Sequence, residues 1–252
     1  MKTANGSRRD CDSASPEGLE TMTRALRHAS RYHAWMFSLI EDFVGVRVLE
    51  VGAGSGNLTR FLARRSPVTA LDISSEALEL LTGRLDGVNV ETIVADVADS
   101  AGVSELVGRG FDTIVSSNVL EHIENDETAI RNMREILAPT GGRVLLIVPA
   151  HPLLFGALDG AAGHHRRYSR SGLSSLLRDA GFTIVRARYV NLLGAIAWYV
   201  NGSILKTSDL NAGSVNAQAH VFDRLVVPVL RRVEGVISPP FGQSLVVVGQ
   251  AQ

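Results

Sequence analysis

The feature of the sequence that most constrains the fold is a short apolar run that ends directly in a glycine-rich loop. The run occupies residues 47–51 (RVLEV), and the loop occupies residues 52–56 (GAGSG). A short apolar run bounded by glycines is typical of a strand buried on both faces of a parallel sheet. Because glycine lacks a Cβ, the loop can turn sharply and present backbone N–H groups to a ligand. The segment therefore predicts an α/β fold with a nucleotide-like ligand beyond the end of this strand.

The rest of the chain alternates between apolar runs and amphipathic segments. Six further runs are predicted to be strands, at residues 68–71, 88–95, 111–116, 143–148, 182–189 and 244–249. Helices are predicted at residues 57–65, 75–81, 126–137 and 171–180, with one or two more within 21–43. Such alternation gives a mostly parallel sheet with helices on both faces. The predicted fold class is therefore α/β, with a seven-stranded, mostly parallel sheet.

The length of 252 residues suits one α/β domain that carries an insertion. Residues 1–20 are rich in polar and charged side chains and are predicted to be a disordered tail, which leaves 21–252 as a single domain. Residues 192–240 form an insertion between predicted strands six and seven. We expect this insertion to be a helical cap over the carboxyl edge of the sheet, with Pro228 kinking its second helical stretch.

Composition excludes several classes of function. The net charge of −1 provides no basic field for nucleic acid. No run of about 18 apolar residues occurs, so no transmembrane segment is predicted. The single cysteine, Cys11, allows no intrachain disulfide and suits a reducing cytoplasm. A monomer and a homodimer both remain open.

Two acidic residues follow predicted strands. Asp72 ends the second strand, twenty residues after Gly52, and Asp96 closes the third strand. The carboxyl ends of parallel strands meet at one edge of the sheet, where ligands of open α/β sheets bind, and a carboxylate there can accept ribose hydroxyl groups. The glycine loop and the two acids are therefore predicted to form one ligand site. The alternative is that the loop only connects a strand to a helix.

Two segments resemble motifs of a known family. Residues 48–57 (VLEVGAGSGN) resemble the first motif of class I S-adenosylmethionine (SAM)-dependent methyltransferases. Residues 116–123 (SSNVLEHI) resemble the motif after strand four in the group that includes small-molecule methyltransferases of the ubiquinone pathway. The resemblance covers roughly residues 32–190 and strand seven. It implies a Rossmann-like domain that uses SAM as its cofactor.

The resemblance also implies roles for individual residues. Gly52 and Gly54 would approach the methionine moiety of the cofactor, and Asp72 would bind its ribose. Asp96 would lie on the adenine side, and Asn118 would lie near the sulfonium. The full set of implied cofactor-binding residues is Glu50, Gly52, Ala53, Gly54, Gly56, Asn57, Asp72, Ile73, Asp96, Val97 and Asn118.

Methyl transfer from a sulfonium is an in-line displacement that depends mainly on positioning, and it needs a base only if the acceptor arrives protonated. The candidate catalytic side chains are His122, His165 and Tyr168, each of which could instead have a packing role. Glu121 and His122 could also ligate a divalent cation, as in some ubiquinone-pathway relatives. Because Asn118 stands where those relatives would have another carboxylate, no metal is predicted.

Residues 163–168 (GHHRRY) are unusually basic and directly precede a predicted helix. Positive side chains oppose the macrodipole at a helix N-terminus. An anion between the helix and the arginines, such as a carboxylate or phosphate of the acceptor, would explain the arrangement. Alternatively, Arg166 and Arg167 pair with surface acids or with Asp159.

Aromatic residues supply further candidates for contact with the acceptor. Tyr32 and Trp35 could close over the cofactor or pack in the core. Trp198, Tyr199 and Phe222 could wall an apolar pocket, pack on their own domain or contact a membrane interface. The complete set of predicted substrate-binding residues is Tyr32, Trp35, His151, His164, Arg166, Arg167 and Trp198.

The sequence thus predicts a cytoplasmic SAM-dependent methyltransferase that methylates O, N or C of a small metabolite, which is either anionic or hydrophobic. The first alternative is a nicotinamide-dependent oxidoreductase, although glycines at 52, 54 and 56 do not have the Gly-x-Gly-x-x-Gly spacing of that class. The second alternative is a protein that binds SAM without catalysis.

Overall fold

The computed structural model describes residues 29–199 and 220–252, so the predicted tail at residues 1–20 lies outside the described residues. These ranges contain one seven-stranded sheet in the order β3-β2-β1-β4-β5-β7-β6. The strands are β1 (Val48–Val51), β2 (Val68–Asp72), β3 (Val90–Val94), β4 (Thr113–Ser117), β5 (Arg143–Pro149), β6 (Phe182–Val190) and β7 (Ser244–Ala251). Only β7 runs antiparallel to its neighbours, β5 and β6. The prediction of a seven-stranded, mostly parallel sheet is confirmed.

Helices cover both faces of the sheet. Within the described residues the helices are α1 (Ser30–Ser38), α2 (Thr59–Leu62), α3 (Ser75–Arg84), α4 (Ser100–Val103), α5 (Asp126–Leu137), α6 (Ala157–Ala161), α7 (Arg170–Asp179), α8 (Leu192–Tyr199) and α9 (Val227–Val236). Buried side chains of α4, α5 and α7 form the core on one face. Those of α1, α2, α3 and α9 pack on the other face. None of these helices is long and apolar enough to span a membrane.

Side-chain caps start three of the helices that the sequence predicts. The side-chain oxygens of Ser74, Asn125 and Ser169 accept hydrogen bonds from Ala77 N, Thr128 N and Gly172 N at 3.1, 3.1 and 3.0 Å. Each cap satisfies one of the backbone N–H groups that a helix leaves free in its first turn. Local sequence therefore sets where these three helices begin.

The strand order places a crevice at the centre of the sheet. From β1 the chain moves outward through β2 and β3, and it then returns to place β4 on the other side of β1. Loops that leave the carboxyl ends of β1 and β4 consequently diverge. Such a switch point is where open α/β sheets bind their ligands.

Two described helices belong to the insertion between β6 and β7. Helix α8 starts at the carboxyl edge, where β6 ends. Helix α9 packs its Val227 and Leu230 in the same core cluster as Trp35 of α1, and its Glu234 accepts hydrogen bonds from Asn191 N and Leu192 N at the end of β6. The predicted cap over the carboxyl edge remains a prediction. Residues 200–219, between the two helices, lie outside the described part of the chain.

The helix type changes close to Pro228, at the start of α9. A π-helical turn, Phe222–Val226, runs directly into α9. Proline has no N–H group, so the carbonyl oxygen of Arg224, four residues earlier, cannot accept the i to i+4 hydrogen bond of an α-helix. The guanidinium of Arg31 donates to that oxygen at 2.8 Å. The break that the sequence predicts at Pro228 is thus compensated by a side chain of α1.

The same π-helical turn also caps α1. The carboxylate of Asp223, which is 8% exposed, accepts hydrogen bonds from Tyr32 N at 2.7 Å and Arg31 N at 3.4 Å. A carboxylate at a helix N-terminus stabilises the helix through its free N–H groups and its dipole. Helix α1 is therefore fixed to the insertion at its first turn.

Candidate functional site

The glycine loop folds back on the neighbouring strand. Gly52 N and Ala53 N both donate to the carbonyl oxygen of Leu71 in β2, at 2.8 and 3.1 Å. A Cβ on Gly52 would collide with the side chain of Val119, which follows β4. Gly52 therefore allows the loops after β1 and β4 to approach each other.

Gly54 has a different role in the same loop. Its φ is +52°, a left-handed conformation that side chains with a Cβ rarely adopt. A Cβ built on Gly54 would meet no heavy atom within 4 Å. Packing within the described residues does not explain this glycine, whereas a ligand that approaches the backbone from the crevice would.

Asp72 holds the loop in place. Its carboxylate accepts hydrogen bonds from Gly54 N at 2.7 Å and from Ser74 N at 3.0 Å, one on each oxygen. Each carboxylate oxygen has a second lone pair that remains free to bind a hydroxyl group. The next side chain, Ile73, is 74% exposed and offers an apolar surface beside that carboxylate. The pair suits a ribose and an attached base.

The residues after β3 complete this edge of the sheet. Asp96 is exposed, and its Oδ1 accepts a hydrogen bond from Ala98 N at 2.8 Å. The side chain of Val97 is buried in the core beside α5, and its carbonyl oxygen accepts from Asn132 Nδ2 at 2.8 Å. The backbone of Val97 is therefore the part of the residue that a ligand can reach, and its role in cofactor binding stays a prediction.

Glu50 is the buried acid of the site. It is 3% exposed, and its Oε2 has no hydrogen-bond partner among the described residues. Burial, with a smaller effect of the Asp72 charge, raises the pKa of Glu50 to about 8. At neutral pH the carboxyl is therefore largely protonated. A cationic or hydrogen-bond-donating ligand would satisfy its free oxygen.

The raised pKa of Glu50 predicts a pH dependence of stability. The pKa is about 8 in the folded state and near 4.5 in the unfolded state, so the contribution of Glu50 is fully present below 4.5 and is lost as pH rises through 8. We expect Glu50→Gln to lose less thermal stability than the wild type between pH 5 and 8.5, measured by melting curves along this series.

The matched control for this experiment is Glu91→Gln. The neighbouring Arg109 lowers the pKa of Glu91, which is the opposite direction. That variant should not flatten the pH profile. Parallel profiles for Glu50→Gln and the wild type would show that Glu50 is not protonated in the folded protein.

The segment after β4 places a second acid in the interior. Asn118 adopts a left-handed conformation with φ of 53°, and its N–H donates to Ile147 O at 2.8 Å while its side chain is exposed. A 3-10 turn, Leu120–His122, follows. In this turn Glu121 is completely buried, and neither carboxylate oxygen has a partner among the described residues.

Two histidines lie beside Glu121. The rings of His122 and His164 meet edge to face, with centroids 4.8 Å apart, and His122 Nδ1 lies 3.2 Å from Gly163 O. Burial raises the pKa of Glu121 to about 8 and lowers that of His122 to about 4, so both are uncharged at neutral pH. One ligand atom from each of the three residues lies within 4.8 Å of the others, and together they could hold a divalent cation. The sequence-based prediction of no metal remains a prediction.

The predicted anion-binding role of Arg167 is wrong. Its side chain is 1% exposed, and Nε donates to Asp159 Oδ1 at 2.7 Å. Asp159 is itself completely buried and also binds His164 Nδ1 at 2.8 Å. The guanidinium of Arg167 stacks on Trp198 of α8 at 4.8 Å. Its charge is neutralised inside the protein, which was the alternative that the sequence left open.

Arg166 and Tyr168 share another acid. Arg166 Nη1 lies 2.6 Å from Asp126 Oδ1, and the Tyr168 hydroxyl donates to Asp126 Oδ2 at 2.8 Å. Burial and the Asp126 carboxylate raise the pKa of Tyr168 far above its usual range. A buried phenol in this state is neither a base nor a free acid. The structure thus contradicts a catalytic role for Tyr168 and a free Arg166.

Two of the predicted substrate-binding residues, Trp35 and His151, pack against other side chains of the protein. Trp35 is 1% exposed and belongs to the core between α1 and the sheet. The ring of His151 is stacked between Tyr189 and Phe241, with centroid distances of 4.4 and 4.1 Å. Burial of Trp35 contradicts its predicted role as a substrate contact, whereas His151 is half-buried and its predicted role stays a prediction.

Tyr32 and His122 remain at the carboxyl edge. Burial raises the pKa of Tyr32, and the groups that influence this pKa further are Ser244, at the start of β7, and Glu121. His165 is exposed, and its backbone N–H donates to Glu121 O at 2.8 Å. The residue that sequence reasoning missed is Glu121 as a buried, unpartnered acid. Its position next to His122 in the segment after β4 was the available signal.

Comparison with known protein families agrees with this geometry. A family model described as a methyltransferase domain matches residues 20–187. A methyltransferase of Mycobacterium tuberculosis, itself described as uncharacterized, is 36% identical over 112 residues, which is 44% of this chain and 54% of that protein. The ubiquinone biosynthesis O-methyltransferase of Xanthomonas euvesicatoria is 31% identical over 158 residues, 57% of this chain and 65% of that protein. The chain therefore spans about half the length of the first of these relatives, and under two thirds of the second.

Solved structures share the fold. An S-adenosylmethionine-dependent methyltransferase from Mesorhizobium loti superimposes with a TM-score of 0.59 at 17% identity, over 89% of this chain and 99% of that one. Magnesium protoporphyrin IX methyltransferase from Synechocystis, determined with bound SAM, gives a TM-score of 0.51 at 15% identity, over 99% of this chain and 87% of that one. At these identities the likeness establishes the architecture alone.

Proposed function

The chain belongs to the methyltransferase-domain family, and from that premise we propose that it transfers the methyl group of SAM to a small metabolite. The observation that carries the proposal is the crevice at the switch point of the sheet. There, the space beside Gly54 is open, Asp72 is half-exposed and holds Gly54 N, and Oε2 of the buried Glu50 has no partner among the described residues. We also propose that the protein acts in the cytoplasm.

The residues of the crevice fit SAM. Gly54 leaves room for the ligand against the backbone, and Glu50 offers a buried oxygen to the cationic methionine portion. Asp72 would bind the ribose hydroxyls, with the exposed Ile73 against the adenine. SAM supplies a methyl group on a sulfonium, which is already an activated leaving group. The protein must therefore position the acceptor and exclude water.

In this proposal Tyr32 and His122 face the acceptor, and the buried Glu121 and His164 lie beside His122. Because Arg166 and Arg167 are paired with Asp126 and Asp159, the acceptor side has no free positive charge from the basic segment. We therefore favour an uncharged, hydrophobic acceptor over an anionic one. The neutral imidazole of His122 could accept a proton from an acceptor hydroxyl or amine group.

The two alternative functions differ in what they require. Family membership and the glycine spacing both disfavour a nicotinamide-dependent oxidoreductase. A protein that only binds SAM would have the same crevice, so turnover separates it from an enzyme. The test is incubation of the protein with SAM carrying a heavy methyl group and with aqueous and organic metabolite extracts. Release of S-adenosylhomocysteine together with a heavy-methyl product supports the enzyme, and binding of SAM without either supports the non-catalytic alternative.

Asp72→Ala should weaken SAM binding. The variant removes the ribose acceptor and the brace on Gly54 N and Ser74 N, and loss of charge-assisted hydrogen bonds costs about 1–3 kcal/mol. The expected change in Kd, measured calorimetrically, is roughly tenfold to a hundredfold. Asp99→Ala is the matched control, because that exposed acid accepts a hydrogen bond from Ala101 N and belongs to no predicted binding site. An unchanged Kd for Asp72→Ala would remove Asp72 from the cofactor site.

A further inference from the structure

The π-helical turn Phe222–Val226 and α9 form one continuous helix before β7, and this helix has two faces of different character. Its inner face buries Asp223, Val227, Leu230 and Glu234 against α1 and the sheet. The opposite face exposes an apolar stripe with members three or four residues apart. The stripe consists of Val221, Leu225, Val229, Val233 and Val236, which are 57, 64, 55, 52 and 88% exposed. A continuous apolar face of four turns on a surface helix indicates an interaction site.

The charges around this stripe have one sign. Among the described residues of this helix, the exposed charged side chains are Arg224, Arg231 and Arg232. The two acids of the helix, Asp223 and Glu234, are buried, and both are hydrogen-bonded to backbone N–H groups. Neither acid can offset the arginines at the surface. The exposed side of the helix therefore combines an apolar stripe with charged side chains that are all positive.

The apolar stripe and the surrounding arginines together indicate what kind of partner binds this surface. A helix with an apolar face flanked by arginines lies at the interface of an anionic bilayer, where apolar burial and attraction to lipid phosphates add. A two-fold contact between copies of this chain would instead bring like arginines together across the interface. We propose that the stripe Val221–Val236 with Arg224, Arg231 and Arg232 is a docking surface for anionic phospholipid membranes.

The inner face connects this surface to the candidate site. Asp223, on the buried face of the same helix, caps α1 at Tyr32, a residue of the proposed acceptor side. One helix therefore contacts both the docking surface and the element that carries Tyr32. The inference about docking does not depend on catalysis, because vesicle binding requires neither cofactor nor acceptor.

Vesicle flotation with the full chain tests the proposal. We expect binding to vesicles of phosphatidylcholine with about one third phosphatidylglycerol, and weaker binding to phosphatidylcholine alone. The double variant Leu225→Gln/Val229→Gln should lower the partition coefficient roughly tenfold or more, because it removes two apolar side chains from the contact. Arg231→Gln/Arg232→Gln should lower it by about the same factor on anionic vesicles only.

The control is Val46→Gln, which replaces an apolar side chain that is 77% exposed. Val46 precedes β1, at the amino ends of the parallel strands, and is not part of the stripe. This variant should bind as the wild type does, and all variants should keep the wild-type melting temperature. Absence of vesicle binding, or equal binding by wild type and stripe variants, would overturn the proposal. A dimer in solution that Leu225→Gln/Val229→Gln dissociates would assign the stripe to an interface between copies and overturn it equally.

Discussion

Gly54→Val is expected to abolish SAM binding while the protein stays folded. The Cβ of residue 54 points into space that no described atom occupies within 4 Å. Two branched methyl groups there would fill the volume that the ligand needs and keep it from the backbone N–H groups of the loop. We expect the Kd, measured by calorimetry, to rise by about two orders of magnitude or beyond detection, which corresponds to about 3 kcal/mol or more.

Valine at a positive φ also strains the backbone, so the experiment needs a control for strain alone. Gly108→Val provides it, since Gly108 has φ of +84° and no heavy atom near its Cβ, and it precedes β4 at the opposite edge of the sheet. Both variants should lose some stability. Only Gly54→Val should lose SAM binding. Equal affinities for the two variants would mean that the ligand does not approach Gly54.

Asp159→Ala is expected to lower the free energy of unfolding more than any other single substitution proposed above. Its carboxylate is completely buried and binds Arg167, whose side chain is 1% exposed, and His164. Removing one partner of a buried ion pair leaves an uncompensated charge and typically costs about 3–5 kcal/mol. The free energy of unfolding, measured by urea denaturation, should fall by that order.

Glu127→Ala is the matched control for an exposed pair. Glu127 lies 3.7 Å from Arg131 on the surface of α5, with both side chains more than half exposed, and such pairs contribute little. The double variant Asp159→Ala/Arg167→Met should recover part of the lost stability, because it removes the stranded charge. A loss for Asp159→Ala no larger than that for Glu127→Ala would contradict a structural role for this pair.

The sheet could be predicted from sequence because its central strands are buried on both faces. The runs at 47–51 and 143–148 are mostly apolar, with Arg47, Glu50 and Arg143 as their charged residues, and both stop at turn signals, which is the pattern of parallel strands. Predicted and observed bounds differ mostly by a residue or two, as in β1, Val48–Val51. The cap residues Ser74 and Asn125 act within three residues along the chain, so local sequence also gave the helix starts.

Of the two interpretations that the sequence left open for the basic segment, the structure agrees with pairing of both arginines to acids of the protein. The argument that its charges require an anion was correct, since Arg166 and Arg167 are both paired. The anions are carboxylates of the protein, and not those of a substrate. Asp126 is 40 residues from Arg166 in sequence, so no local pattern indicates that the two meet. Burial of Asp159 likewise follows only from the packing of several elements.

The insertion could not be placed from sequence for the same reason. The bond from Tyr32 N to Asp223 joins residues that are 191 positions apart. The apolar residues of α9 fit a cap, a core helix or a membrane contact equally well from periodicity alone. Only the packing of Val227 and Leu230 beside α1 shows that one face of this helix is core.

The central claim is that the crevice at Gly54, Asp72 and Glu50 binds SAM. The most direct test is calorimetric titration of the purified protein with SAM, S-adenosylhomocysteine and NAD in parallel. We predict micromolar binding of SAM and S-adenosylhomocysteine, and no binding of NAD. Binding of NAD alone would contradict the assignment of the glycine loop and every role derived from it.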